Sequence, residues 1–412
     1  MFGTIIAHIK QYFVDSCLRM LLKIDFENCY SFLEPTSVSF LVGKKVSNSF
    51  WETEINGRRV NKAIGVLGAN ASGKTNLLRA IDFLSKFIPV TYEEKKPNES
   101  IPITRHLLGS ETSKISALFV LSEVEYKYKV ECTNSSVIEE SLHKKGDTGK
   151  FKYVFKRTKL SDGKFAVKQN KFGFDSNKAV HVPDNLSFIG AANSFGVPLA
   201  KEISNYMLKI KSNMHSLGRH SKDFRQLMKS SRFFDENPVY LDTLAEIMRN
   251  CDFGIDRISF SKIVKGDAGK DTGDRIAMGH HKCGEKEFRL PFMSESNGTQ
   301  SAFLLLNTIL PILKNGGTAV IDEIDNDLHP HLLPHILDLF KHEETNPNNA
   351  QIIFTCHTPE ILNILAKHQI YLTEKDESSS ASWRLADMKG IRSDDNRYAK
   401  YMAGALGAVP YL

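Results

Sequence analysis

Cysteine is scarce in this sequence. Six cysteines occur among 412 residues, and no two of them form a CxxC pair. Cysteines this sparse and widely spaced argue against a disulfide scaffold, which is dense in cysteine, and against a zinc ribbon, which needs closely spaced pairs. We therefore expect reduced thiols and a cytoplasmic protein.

Long apolar runs and strong net charge are also absent. The N-terminal stretch is apolar in part, but Lys10, Asp15 and Arg19 interrupt it before it reaches the length of a signal peptide or a membrane span. We expect no export signal, no transmembrane helix and no membrane partner. A formal charge of +6 is modest for 412 residues, so it permits nucleic-acid binding without requiring it.

What the sequence does contain predicts a folded protein with mixed secondary structure. Apolar residues make up 41% and charged residues 25% of the chain, which favours a packed core over disorder. Residues 116–171 alternate apolar and polar side chains, as antiparallel hairpins do. Residues 198–250 have helical spacing without the heptads of a coiled-coil arm. After residue 260, strands and helices alternate, which predicts a parallel sheet.

A phosphate-binding motif follows the apolar strand AIGVL. Residues 68–75, GANASGKT, match the P-loop pattern GxxxxGK[ST] and precede the helical segment TNLLRAIDFL. Backbone N–H groups of the loop should surround phosphate oxygens, Lys74 should neutralise the β and γ phosphates, and Thr75 should bind Mg²⁺. The predicted nucleotide-binding residues here are Gly68, Asn70, Ala71, Ser72, Gly73, Lys74, Thr75 and Asn76.

Two adjacent carboxylates end a later apolar strand. The segment TAVI is followed by Asp322 and Glu323, and ligands of parallel sheets bind at such strand ends. We expect Asp322 to hold Mg²⁺ and Glu323 to orient or deprotonate the attacking water, as catalytic residues of nucleotide hydrolysis do. The alternative is a strand that runs into an acidic helix start, stabilised by the helix dipole.

Two further segments fit the same site. His357 ends the next apolar strand, QIIFTCH, where it is predicted to contact the γ-phosphate, although a lone histidine is often structural. Ser296 and Gly298 precede the apolar helix SAFLLLNTILPIL, and backbone groups at a helix N-terminus suit an anion. An ordinary helix N-cap is the alternative for this pair.

The order of these four motifs resembles that of the ABC ATPases, including SMC-type and DNA-repair members. Within that superfamily, DEIDNDLHPHLLPHIL, ESNGTQ and YMAGALGAVPYL are similar to the small OLD-like ATPases that bacteria encode in phage-defence and abortive-infection operons. The resemblance covers residues 20–412. It implies an α/β fold of the ABC-ATPase P-loop type, with an antiparallel β subdomain and a helical insertion, and it implies ATP and Mg²⁺ as cofactors.

The resemblance also implies a homodimer or higher homo-oligomer that sandwiches nucleotide. Ser296 and Gly298 of one subunit would contact the γ-phosphate bound to Lys74 of the other, and residues 326–329 would form the D-loop at that interface. The sequence departs from the usual LSGGQ signature, since Asn297 replaces a glycine and Thr299 stands at the Gln or Glu position. No glutamine clearly marks the Q-loop, for which Asn193 is the candidate.

We predict four segments. They are an N-terminal appendage at 1–19, an N-terminal ATPase lobe with the P-loop and β hairpins at 20–195, a helical insertion at 196–255, and a C-terminal ATPase lobe at 256–412. Two histidine groups are weak candidates for metal sites: His329, His331 and His335 match the family's D-loop region, and His280, His281 and Cys283 match no zinc motif, so we interpret them as a loop.

Two functions are compatible with these motifs. In the first, MgATP closes an oligomer and hydrolysis reopens it, which controls a separately encoded effector, expected to be a nuclease, in bacterial anti-phage defence. The second is a DNA repair or maintenance clamp. Its footprint would be the lysine-rich segment 144–171, although alternating aromatics there are also typical of a hairpin's buried face with solvated lysines.

Overall fold

The protein is seen in a computed structural model that describes residues 18–96, 98–215, 218–219, 222–250, 254–265, 270–328, 331–392 and 395–409. The predicted appendage at 1–19 lies outside these residues except for its last two positions. His329, the last residue of the predicted D-loop, also lies outside them. Among the described residues, no helix has both the length and the apolar character that a membrane crossing needs.

Strands outnumber α-helices in the described part of the chain. The strands are β1 (Arg19–Glu27), β2 (Thr36–Ser39), β3 (Glu52–Ile55), β4 (Arg58–Asn61), β5 (Ala63–Leu67), β6 (Ser113–Leu121), β7 (Val124–Cys132), β8 (Val137–Lys145), β9 (Phe151–Lys159), β10 (Phe165–Gln169), β11 (Ile210–Ser212), β12 (Met214–His215), β13 (Gly218–Arg219), β14 (Arg257–Lys265), β15 (Lys270–Cys283), β16 (Lys286–Pro291), β17 (Thr318–Ile321), β18 (Gln351–Thr355), β19 (Ile370–Asp376) and β20 (Ser379–Arg384). The α-helices are α1 (Lys74–Phe87), α2 (Ser176–Ala179), α3 (Phe188–Ser194), α4 (Pro198–Met207), α5 (Phe224–Glu236), α6 (Leu241–Asn250), α7 (Asn297–Asn315), α8 (Leu332–Lys341), α9 (Ile361–Ile364) and α10 (Arg397–Met402).

A six-stranded sheet forms the centre of the fold. Its order is β11-β17-β18-β5-β19-β20, and all neighbours are parallel except the last pair. Strands β5, β17 and β18 are buried at every position, so both faces of the sheet must be covered. This confirms the parallel sheet predicted from the alternating strands and helices. It also places the P-loop strand two strands from the strand that precedes Asp322.

Each face of this sheet contributes to a different core. Ile64, Val66 and Val320 pack in one core with α1 and the antiparallel strands. Their neighbours Leu67 and Ile321 pack in the other core, with α7 and α8. Side chains of a strand alternate between faces, so β5 and β17 contribute residues to both cores.

A seven-stranded antiparallel sheet, β10-β9-β8-β7-β6-β1-β2, lies over the first core. It confirms the predicted hairpins and, with the parallel sheet, the predicted α/β fold class. Phe155 is buried as expected, but Phe151 and Tyr153 are 38% and 39% exposed. The pairing of β8 with β9 shifts between Leu142 and His143. Such a bulge moves later side chains to the other face, so the expectation of a continuous buried aromatic face was wrong.

The segment predicted as a helical insertion contains α4, α5 and α6, and it also contains strand β11. That strand pairs in parallel with β17 at the edge of the central sheet. The division of the chain into four segments stays a prediction. His280, His281 and Cys283 lie on strand β15, not in a loop as the sequence suggested.

Candidate functional site

The P-loop connects the end of β5 to the start of α1 and packs closely against β19 and β20. A Cβ atom on Gly68 would lie 2.1 Å from the Thr373 carbonyl oxygen. A Cβ atom on Gly73 would lie 2.3 Å from Ser380 Oγ, and Gly73 has φ of 107°. Only glycine fits these positions without displacing the neighbouring strands.

The other P-loop residues divide between the exposed tip and the helix start. Asn70 and Ala71 form the tip, where Ala71 adopts a left-handed φ of 62°. Asn76 is in the first turn of α1, where its Nδ2 donates to Ser31 Oγ at 2.9 Å and its Oδ1 accepts from Arg79 at 3.1 Å. Asn76 therefore braces the helix start against the segment that follows β1.

The Lys74 ammonium is held inside the curve of the loop. Its Nζ donates to the carbonyl oxygens of Gly68 at 2.8 Å and Ala69 at 2.9 Å. Burial lowers the pKa of Lys74, and the carboxylate of Asp322 opposes that shift. Ser72 Oγ is buried next to Gly68 and has no hydrogen-bond partner among the described residues. A cation and a hydroxyl without a partner among the described residues thus lie within the loop.

The two sequence motifs meet at Thr75 and Asp322. Thr75 Oγ1 lies 3.1 Å from Asp322 Oδ1 and 2.9 Å from Asp322 Oδ2. A hydroxyl beside a carboxylate is the oxygen donor set that Mg²⁺ takes together with substrate phosphates. The residues present therefore fit MgATP, with Lys74 and the start of α1 toward the phosphates.

Two residues that the sequence interpretation missed hold Asp322 in place. Asn213 Oδ1 accepts from Asp322 N at 2.8 Å, and Asn213 Nδ2 donates to Asp322 O at 2.9 Å. Thr355 Oγ1 donates to Asp322 Oδ1 at 2.7 Å. Thr355 is the last residue of the apolar strand QIIFT, so its position near Asp322 could have been predicted from the sequence. Asn213 carried no signal, because the strand before it is only three residues long and follows a helix.

Glu323 and His357 lie side by side at the edge of this site. His357 Nε2 is 3.7 Å from Glu323 Oε1, and the two side chains are 44% and 39% exposed. Glu323 has a left-handed φ of 49°, and its N–H donates to Thr355 Oγ1 at 2.7 Å. Asp325 Oδ2 accepts from the backbone N–H groups of His357 and Thr358, both at 2.8 Å. The arrangement can orient a water molecule between an acidic and a basic side chain.

Ser296 is the N-cap residue of helix α7 and is exposed. Its Oγ accepts from Thr299 N at 3.1 Å, so within this chain Ser296 acts as an ordinary N-cap. Gly298 lies in the first turn of the same helix. With 19 residues, α7 is about 28 Å long, whereas the four residues of β17 span about 13 Å. Helix α7 is therefore longer than β17 by roughly 15 Å.

Asn193 is not brought to the P-loop. It lies in α3, whose Gly190 packs on the backbone of Val90 and whose Ser194 Oγ accepts from Tyr92 N at 3.0 Å. Those contacts are at the C-terminal end of α1, about 20 Å along the helix from Lys74. The Q-loop position predicted for Asn193 gains no support from this placement, whereas Asn213 touches Asp322 directly.

The histidine groups give no metal centre in the part of the chain that the structure describes, where no set of three or more His, Cys, Asp or Glu side chains could hold a metal ion. His331 and His335 are exposed, and His329 lies outside the described residues. His280 contacts Ser259 Oγ and Glu287 Oε1, each at 2.8 Å. His281 Nε2 lies 2.7 Å from Glu295 Oε1, so both histidines of β15 have partners within the chain.

Comparison with known proteins adds a family. The profile described as "AAA domain, putative AbiEii toxin, Type IV TA system" matches residues 64–363, well over half of the chain. The chain belongs to this family. Membership of the AbiEii-type AAA family agrees with a P-loop ATPase domain that runs from the P-loop strand past His357. The match does not distinguish OLD-like ATPases within that class. A search of curated proteins gave no match.

Several solved SMC head domains are similar in fold to this AbiEii-type AAA chain. A SmcHead bound to the C-winged helix domain of ScpA has 15% identity and a TM-score of 0.46, covering 90% of this chain and 99% of that one. The SMC head domain from Thermotoga maritima has 12% identity and a TM-score of 0.40, covering 88% and 98%. An Smc head from Pyrococcus furiosus has an extended coiled coil and is bound to the C-terminal domain of ScpA. It has 12% identity and a TM-score of 0.44, covering 90% of this chain and 97% of that one. With identities and scores this low, none of these similarities bears on function.

Proposed function

We propose that this protein is a MgATP hydrolase that acts as an ATP-dependent switch. The observation that carries the proposal is the meeting of the two motifs, with Thr75 Oγ1 2.9 Å from Asp322 Oδ2. Lys74 neutralises the β and γ phosphates, and Thr75 with Asp322 holds the magnesium ion. Bound Mg²⁺ would neutralise negative charge that develops on the phosphates.

The water-activating role belongs to Glu323 in this proposal. Its carboxylate lies at the exposed edge of the site, one residue beyond Asp322, where it orients or deprotonates the attacking water. His357, 3.7 Å away, contacts the γ-phosphate and reports whether it is present. Asp325 fixes the backbone of His357 relative to the loop that carries Glu323.

The switch closes through a second copy of the chain. Ser296 and Gly298 lie at the start of α7, which is roughly 15 Å longer than β17, and Ser296 is exposed. Their backbone groups suit an anion, and we assign them to the γ-phosphate bound by Lys74 of the partner copy. Asn326 Nδ2, 3.4 Å from Glu323 Oε2, would lie at the same interface.

The output of the switch is control of a separately encoded effector, which we expect to be a nuclease, in bacterial anti-phage defence. The family description, an AbiEii toxin of a type IV toxin–antitoxin system, supports a role beside a second gene product. The motifs shared with OLD-like ATPases support the same setting. Because a fold does not fix function, the effector must be sought experimentally.

The test compares wild type with Glu323→Gln. We would measure ATP hydrolysis and oligomeric mass with and without the proteins encoded beside this one. The variant should bind ATP, hydrolyse it at least about 100-fold more slowly, and retain a neighbouring gene product in an ATP-bound assembly. Glu344→Gln, an exposed carboxylate beyond α8, is the matched control. Unchanged hydrolysis in Glu323→Gln would refute the catalytic assignment, and an ATP-bound monomer without partner would refute the switch.

A DNA clamp is the second candidate, and one surface favours it. Lys129, Ser141, Lys156 and Lys168 lie opposite one another across β7 to β10, so they share the outer face of the antiparallel sheet. Exposed Tyr153 lies on the same face, with the Lys156 ammonium 5.8 Å from its ring centroid. Cationic side chains around an exposed aromatic ring suit a nucleic-acid strand.

The structure also defines which lysines to change. Lys159 pairs with Asp184 at 2.5 Å, so it is a poorer probe than the lysines of the outer face. Salt-dependent DNA binding should be lost on reversing Lys129, Lys156 and Lys168 together and kept on reversing Lys44, Lys45 and Lys389, which are exposed elsewhere. Absence of binding at low salt would remove this candidate.

A further inference from the structure

A cavity lies beside the loop that follows β17 and carries Glu323, and no P-loop residue lines it. Its volume is about 380 Å³, and its walls come from the end of β11, helices α5 and α7, and the loop that follows β17. That size is typical of a site for a small organic ligand. The cavity is formed where the helical segment packs over the edge of the central sheet.

The mouth of the cavity is cationic. Lys211, Lys222 and Lys229 contribute to its lining. Lys222 is paired with Asp327, whereas Lys211 and Lys229 are exposed. Lysine ammonium groups at the entrance of a pocket attract a phosphate or another compact anion.

The wall of the cavity contains two polar residues of α7 with side-chain atoms that make no hydrogen bond among the described residues. Asn307 Oδ1 and Ser301 Oγ are buried and have no partner among the described residues. Both residues lie on α7 and line the cavity. Pro311, one turn later, has no N–H to give the Asn307 carbonyl oxygen its helical hydrogen bond. Unsatisfied buried polar atoms are costly, so a ligand whose binding turns these side chains toward the cavity gains free energy by supplying their missing partners.

Part of the wall is apolar and includes an aromatic ring. Phe233, Leu304 and Ile321 line the cavity together with the polar atoms. An amide and a hydroxyl in the wall, apolar side chains beside them and lysines at the mouth together suit a flat ring with N–H donors that carries a phosphate. We propose that this cavity binds a nucleoside phosphate, at a site separate from the ATP site of the P-loop.

Binding there would act on hydrolysis, a step that rests on the proposed ATPase function. Glu323 and Asn213 line the same cavity. One is the proposed water-activating carboxylate, and the other holds the backbone of Asp322. A bound ligand therefore contacts both sides of the metal and water site without touching the P-loop, and its occupancy sets the hydrolysis rate.

The first experiment measures binding directly. Full-length Lys74→Ala, in which the P-loop site is disabled, is titrated calorimetrically with AMP, GMP and inorganic phosphate. At least one nucleotide should bind, and more tightly than phosphate alone. Adding Lys211→Glu with Lys229→Glu should weaken that binding at least 10-fold, and Thr308→Trp, which fills the cavity, should abolish it. Arg225→Glu, an exposed charge reversal on α5 outside the cavity lining, should leave it unchanged.

The outcomes separate this proposal from the proposed ATPase function. Nucleotide binding that persists in Thr308→Trp, or no binding of AMP or GMP to a chain that melts like wild type, overturns the cavity proposal. A third outcome is that no nucleotide binds, but a neighbouring protein is captured and the lining variants lose this capture. The cavity would then bind a protein segment, and the nucleotide proposal would be overturned. If the nucleotide binds as described but wild type hydrolyses no ATP, the cavity stands and the ATPase proposal fails.

Discussion

The side-chain amide of Asn213 makes two hydrogen bonds to the backbone of Asp322, one from Asp322 N at 2.8 Å and one to Asp322 O at 2.9 Å. Strand β11 ends at Ser212 and strand β17 ends at Ile321. The amide therefore extends the pairing of these strands by one residue, to the point where the metal-binding carboxylate begins. The position of Asp322 depends on an edge strand from a distant part of the sequence.

Asn213→Ala should lower kcat for ATP hydrolysis while ATP affinity changes little. Misplacing a reacting group by about 1 Å can cost about 100-fold, so we expect a loss of roughly 10- to 100-fold and a requirement for more Mg²⁺. Steady-state rates across a Mg²⁺ series, with ATP binding measured separately, check this. Asn185→Ala is the control, because Asn185 bonds to Glu99 O, away from the site. An unchanged kcat would show that Asn213 does not position Asp322.

Thr355→Val should both destabilise the protein and slow hydrolysis. The Thr355 hydroxyl donates to Asp322 Oδ1 and accepts from Glu323 N, each at 2.7 Å, and valine keeps the shape but removes one hydrogen bond from each of these partners. Loss of a buried partner costs about 1–3 kcal/mol, which urea unfolding would measure. Thr355→Ser, which retains the hydroxyl, should recover most of the stability and the rate. Equal behaviour of valine and serine would contradict this account.

Gly68→Ala should abolish ATP binding. The new methyl group would lie 2.1 Å from the carbonyl oxygen of Thr373, and a backbone atom of a central strand cannot move aside as a flexible side chain can. The loop must shift instead, which displaces the N–H groups that face phosphate. Fluorescent ATP-analogue binding is the readout. Gly43→Ala, whose nearest neighbour would be 3.9 Å away, should bind like wild type, and retained affinity in Gly68→Ala would exclude the steric argument.

His368 should make stability fall on acidification. Burial lowers the pKa of His368 to about 4, and Arg384 adds to the shift. Glu52, 3.3 Å from His368 Nε2, only partly opposes it. Between about pH 4 and 6.5 the unfolded chain binds a proton that the folded chain does not. Stability from this group is therefore present above pH 6.5 and is lost as pH falls toward 4, by roughly 3 kcal/mol at most.

The measurement for His368 is the free energy of unfolding as a function of pH. Wild type should lose stability between pH 6.5 and 4 more steeply than His368→Gln, in which the titrating group is removed. His181→Gln, on an exposed histidine, should follow the wild-type curve. Parallel curves for wild type and His368→Gln would show that His368 contributes no such pH dependence.

Much of the fold and part of the site could be predicted from the sequence. Residues 68–75 match the P-loop pattern between an apolar strand and a helix, which together indicate a phosphate-binding loop. The apolar runs TAVI and QIIFT indicate a parallel sheet, because strands buried on both faces are typical of such sheets. Since strand ends of such a sheet meet at one edge, Asp322, Glu323 and His357 were expected near the P-loop. Thr75 and Asp322 do meet, and Glu323 and His357 are neighbours.

The sequence by itself determined which residues carry charge and where strands end, since both follow from residue type and local periodicity. Only the tertiary structure decided which residues hold that chemistry in place. Asn213 reaches Asp322 through a three-residue strand whose local pattern is too short to detect. Asn193, placed by sequence order near the site, lies instead by the far end of α1. Such pairings depend on long-range packing between segments about 100 residues apart, and local sequence patterns do not encode that packing.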